Sequence, residues 1–246
     1  MIGRVILAVL LSGIAAGLVM GVIQHVRLTP LILEAEAFER AGSPAGHSHD
    51  AAAPQPGQPD GDGQGHDHEH DHGEGWTPET GWQRTLATTV TAAMTGAGFA
   101  AILAGLSLLA GLRITRRNGI IWGLCGFLAV TLAPAAGLPP ELPGMAAADL
   151  FSRQVWWAGA VAATAAGIYL IATQKRVFVM VLAALLILAP HIVGAPVAPH
   201  GENLIPAELI ARFVASSIAA NAVLWSVIGL LLGLVLDHTA KDIYAT

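Results

Sequence analysis

The sequence predicts an all-α polytopic membrane protein with about six transmembrane helices and a disordered, His/Asp-rich outer loop. Three observations carry that expectation. Of 246 residues, 54% are hydrophobic and 12% charged, with a mean hydropathy of +0.61. A soluble domain carries about 25% charged residues, so this chain is depleted by half. Several apolar runs reach the ~18 to 20 residues that cross a hydrocarbon core of roughly 30 Å. Basic clusters and carboxylates also segregate between alternate connections.

Hydropathy places the spans at roughly 5–26, 86–111, 119–136, 154–173, 177–194 and 209–236. Pro190 and Gly194 interrupt the outer end of the fifth, leaving a count of five or six. The chain divides into a first helix (1–26), a polar insert (27–84), a second helix with a basic inner loop (85–117), a third and fourth helix (118–176), and a fifth and sixth with a short tail (177–246). Ala35-Glu36-Ala37 mimics a signal-cleavage site, but the preceding apolar stretch exceeds the 7 to 15 residues of a signal core, so retention is expected.

Basic residues near span ends set the orientation. With a cytoplasmic N-terminus, Arg4, Arg113, Arg116, Arg117, Lys175, Arg176 and Lys241 lie inside, and Arg27, Arg40, Arg84, Arg153 and Arg212 outside. Fifteen of the 17 carboxylates then face outward. The insert is therefore expected to face the periplasm or exterior, and both termini the cytoplasm.

The outer ends of the odd-numbered spans share Leu28-Thr29-Pro30, Leu132-Ala133-Pro134 and Leu188-Ala189-Pro190. Each precedes an arginine at the start of the return helix: Arg84, Arg153 and Arg212. Asp149/Arg153 and Glu208/Arg212 stand four apart, on one helix face. In the first unit Glu79 stands five ahead of Arg84. The pattern fits three helical hairpins in parallel repeat, their prolines meeting at one outer vestibule. It fits equally a cheap L-x-P pattern with ordinary arginine anchors.

The strongest chemical signal is GHDHEHDHGEGW, residues 65–76. In an extended chain His66, His68, His70 and His72 line one edge and Asp67, Glu69 and Asp71 the other. A Gly-, Pro- and Asp-rich setting cannot bury enough surface to offset chain entropy, so the insert is expected to be disordered without metal. It can fold several imidazoles around one ion, which suits Co, Ni, Cu or Zn without selecting among them. His47 and His49 form a weaker second cluster. Metal needs neutral imidazole, so capture weakens in acid. The bland alternative is a solvated spacer.

Nearer the membrane, His191 follows a helix-disrupting proline, where freed carbonyls can help hold an ion. His25 ends the first span, and Asn221 sits within the sixth as an intramembrane polar group. Each can instead cross-link helices. Glu34, Glu36, Glu141, Glu202 and Glu208 are vestibule carboxylates or plain solvated charge. Gly13, Gly17, Gly21, Gly96, Gly98, Gly105, Gly229 and Gly233 stand at helix-packing spacing. Cys125 is the single cysteine, and no phosphate loop is present.

RLTPLILEAE, the His/Asp insert, GWQRTL, LAPAAGLPPELPGMAAADLFSRQVWW, LAPHIVGAP and IPAELIARF together resemble the CbtA family of predicted cobalt transporter subunits. The likeness covers nearly the whole chain and is most specific over 132–157. It implies cobalt uptake tied to cobalamin synthesis, beside a small single-span, His-containing CbtB-like partner, and it points to His191. The family is usually described with five spans. No enzyme is expected, since no nucleophile–base pair or zinc-protease motif occurs, and no nucleic-acid partner is expected. A metal-binding scaffold or sensor, or an efflux subunit for nickel or zinc, is the alternative.

Overall fold

The computed structural model describes residues 2–42, 81–198 and 205–244, and it is helical with no strand among them. The first apolar run forms α1 (Ile2–Ile23), which passes through a π-helical turn (Gln24–Leu28) into α2 (Thr29–Gly42). Then come α3 (Trp82–Ala110), α4 (Gly119–Phe127), a second π-helical turn (Leu128–Leu132) leading into α5 (Ala133–Ala135), α6 (Leu150–Thr173), α7 (Val177–Val193) and α8 (Ala207–Tyr244). Each of the six predicted spans is a helical rod. Ile2–Ala41, Trp82–Ala110, Leu150–Thr173 and Ala207–His238 are long and apolar enough to cross a bilayer; Gly119–Ala135 and Val177–Val193 are shorter. At 1.5 Å per residue a 17-residue rod such as α7 reaches about 25 Å, just under the hydrocarbon thickness.

The first rod corrects the expected start of the insert. Helix continues past residue 26 to Gly42, so residues 27–42 belong to the rod. Leu28, Leu31 and Ala35 are buried in one core with Leu142, Ile205 and Leu209, while Glu34 and Arg40 stay exposed. One buried face suffices to hold a helix whose other face is charged. The remaining insert, with His47, His49, His66, His68, His70 and His72, lies outside the described residues.

Small residues decide which rods touch. Lipid tails are as apolar as leucine, so membrane helices associate through close packing, and glycine lets backbones approach. Gly13 and Gly17 of α1 face the backbone of α3 at Gly96 and Ala92, and Gly96 faces Gly13 and Gly17 in return. On α4, Gly119 and Gly123 meet the α8 backbone at Gly229 and Trp225, and Gly126 leaves room for the Trp225 ring. A side chain at Gly229 would lie 2.7 Å from the Gly123 nitrogen. A side chain at Gly98 or Gly105 would meet nothing within 4 Å among the described residues, correcting their reading as packing residues.

These faces also correct the hairpin repeat. α1 packs on its chain successor α3 as expected, but the third span (α4) packs on the last (α8), and the fourth (α6) packs on the fifth (α7) in place of the third. The α6–α7 pair is joined through Gln174–Arg176, at the end of the bundle opposite the insert. Small faces decide both pairings: Gly119 and Gly123 of α4 meet α8 far along the chain, and Gly167 of α6 admits Ile187 and the Ala183 carbonyl of α7. α8 is central, with Trp225, Ile228 and Leu232 fully buried and contacts to α1, α4 and both π-helical turns.

Candidate functional site at the insert end of the bundle

Two of the three Leu-x-Pro motifs have the same local structure. Each π-helical turn ends at the motif's leucine, Leu28 or Leu132, two residues before its proline. Proline carries no N–H and its ring crowds the carbonyl four residues back. A wider turn relieves that clash: the Thr29 and Ala133 N–H groups reach the Gln24 and Leu128 carbonyls, five residues back. The sequence shows the prolines but not the π geometry. The third motif lacks the turn, and α7 runs through Pro190 to Val193.

The second and third motifs are joined directly. His191 Nε2 lies 2.9 Å from the Ala133 carbonyl oxygen and Nδ1 3.2 Å from that of Ile187. Trp156 Nε1 donates to the Pro190 carbonyl at 3.1 Å, and its ring meets the imidazole edge-on at 5.8 Å. A neutral imidazole has one N–H, so it donates to only one of the two carbonyls. His191 therefore stands as a helix cross-link here; ligating an ion would require it to release a carbonyl. Trp156 went unnoticed in the sequence, where a tryptophan near a span end reads as an interface anchor.

His25 sits on the first π-helical turn, exposed, and lines a cavity of about 200 Å³ with Thr29, Arg84 and Thr85. The neighbouring Gln24 Oε1 is buried without a hydrogen-bond partner among the described residues. Arg84, at the start of α3, grips Glu36 of α2 at 2.6 and 3.4 Å. That ion pair closes the fold at the point where the insert leaves and re-enters.

The second return arginine makes an equivalent staple with a partner other than the expected one. Arg153 pairs with Glu141 at 2.6 Å. Asp149 instead caps α6, accepting from the Ser152 N–H and hydroxyl, each at 2.9 Å. The first N–H groups of a helix have no helical acceptor, and a carboxylate at the cap position answers them before it can reach an arginine one turn on. These bonds from Ser152 hold the Asp149 carboxyl below its usual 3.8. No Glu208–Arg212 ion pair occurs among the described residues, and Glu79 and Glu202 lie outside them. Asn221 Nδ2 donates to the Ser217 carbonyl of its own helix at 2.9 Å.

Among the described residues no three His, Cys, Asp or Glu side chains assemble into a metal-binding group. A helical bundle of this length and apolarity, with broken helices and paired charges gathered at one end, defines a multi-pass membrane protein. The chain belongs to the CbtA family: the family model, described as probable cobalt transporter subunit, matches residues 2–237. No curated protein and no solved structure matches it.

Proposed function

We propose that this chain is the membrane subunit of a cobalt uptake transporter, and that its His-rich insert captures the metal outside the membrane. One observation supports the capture role most directly. Both ends of the insert, Gly42 and Trp82, belong to helices stapled by Arg84–Glu36 beside the His25 cavity. A tether fixed at both ends beside that cavity raises the effective concentration of whatever it captures there. His25 and the side-chain oxygen of Gln24 offer the next nitrogen and oxygen contacts to an arriving ion. His191 acts where the second and third motifs meet.

The insert faces the periplasm of the bacterial inner membrane and both termini the cytoplasm, as the arginine-rich connections at the other end favour. A small single-span CbtB-like subunit completes the transporter, and no chemical step is assigned to this chain. The test is radiolabelled cobalt flux in proteoliposomes, with and without that partner, competed by nickel and zinc. Inward flux that nickel and zinc compete poorly supports the reading. Binding without flux in both preparations makes the chain a scaffold or sensor, and outward flux makes it an efflux subunit.

A further inference from the structure

At the end opposite the insert, a cavity of about 780 Å³ opens sideways between α3, α4 and α6. Leu106 of α3 and Tyr169 of α6 form its walls; Trp122 and Gly126 of α4 and Trp225 of α8 form its floor. It exists because α4 turns its glycines toward α8, while α6 offers small side chains such as Ala165 that fill nothing opposite them. Its volume falls within the roughly 300–1,000 Å³ of small-molecule sites, and its lining has the same character, apolar with a few polar groups. The side facing the bilayer is open, with Leu109 87% exposed.

The polar groups are at one end. Arg113 and Asn118 close the groove there. Their connection is built: Ser107 Oγ donates to the Leu112 carbonyl at 2.6 Å, Asn118 Nδ2 to the Arg113 carbonyl at 3.0 Å, and the Thr115 N–H to Asn118 Oδ1 at 2.7 Å. Arg116, Arg117, Lys175 and Arg176 stand exposed in the two connections of this end. Among the described residues none of these five cations is in an ion pair. An apolar slot open to the bilayer, closed at one end by an anchored, unpaired arginine and flanked by more cations, complements one occupant.

We propose that this groove binds a glycerophospholipid with an anionic headgroup, its tails against α3, α4 and α6 and its phosphate at Arg113. Guanidinium presents a fork of donors matched to phosphate oxygens, and the flanking cations favour a headgroup of net negative charge.

The test uses the delipidated full chain in detergent, titrated with phosphatidylglycerol or phosphatidylcholine of identical tails and read by native mass spectrometry. Phosphatidylglycerol should bind about ten-fold more tightly, as expected for one to two cations at the headgroup. Arg113→Gln should weaken both lipids, which share the phosphate, and narrow the preference, Arg4→Gln should leave affinities and preference intact, and Ala165→Phe, which fills the slot, should weaken both. Inorganic phosphate at millimolar concentration should displace neither. Equal binding of the two lipids, affinities unchanged by Arg113→Gln, displacement by free phosphate, or a co-purifying helix that excludes both lipids would each overturn the proposal. Arg113 is exposed on a loop, so its variant reports even if Ala165→Phe fails to fold.

Discussion

His191 Nε2 sits 2.9 Å from the carbonyl oxygen of Ala133, tying the third Leu-x-Pro motif to the middle residue of the second, 58 positions earlier. The contact bridges α7 and the α4–α5 rod, which have no small-residue face in common. His191→Ala should lower stability by about 1 kcal/mol, the net worth of an ordinary hydrogen bond. Thermal unfolding in detergent measures it, and an unchanged midpoint would show that the cross-link carries no stability.

The glycine faces make a sharper contrast. Gly229→Val drives a branched side chain into the backbone of α4 at Gly119 and Gly123, and no rotamer avoids it. The folded monomer should be largely lost in size-exclusion chromatography. Gly98→Ala meets open space and should be neutral or stabilising, by up to about 1 kcal/mol from helix propensity.

Arg84 and Glu36 should couple by about 0.5–1 kcal/mol in a double-mutant cycle, as half-buried bidentate pairs do. The exchanged pair, Glu36→Arg with Arg84→Glu, should recover part of what each single change loses. No recovery would mean that orientation and surroundings matter more than the charges.

Asp149 supplies a pH dependence of known sign. Its carboxyl is held below the usual 3.8 by the Ser152 N–H and hydroxyl, so the folded state binds its proton less readily than the unfolded chain. Its contribution is present above the unfolded value and is lost as pH falls through the lowered folded value. The unfolding midpoint should therefore drop on acidification below about pH 4. Asp149→Asn, which caps without titrating, should flatten that part of the curve.

Deleting residues 47–72 should lower cobalt uptake at scarce metal and spare it at abundant metal, because a capture tether matters only when encounter limits flux. Unchanged uptake under scarcity would remove the capture role.

The amino-acid sequence alone determined the six rods, because crossing hydrocarbon demands length and apolarity whatever the neighbours are. It also marked Gly13, Gly17, Gly96, Gly229 and Gly233 as contact points and placed the prolines at one end. It could not say which face each glycine meets. Only the assembled bundle decided that α4 joins α8 and leaves α6 to its successor α7, since pairing depends on three-dimensional match between small faces. The carboxylate partners were hidden for a similar reason. Spacing put Asp149 beside Arg153, yet a helix start competes for the same oxygens, and Glu141 was left to answer the arginine. The extension of the first helix to Gly42 likewise has a tertiary setting, with Leu31 and Ala35 buried in one core with Leu142, Ile205 and Leu209 from far along the chain.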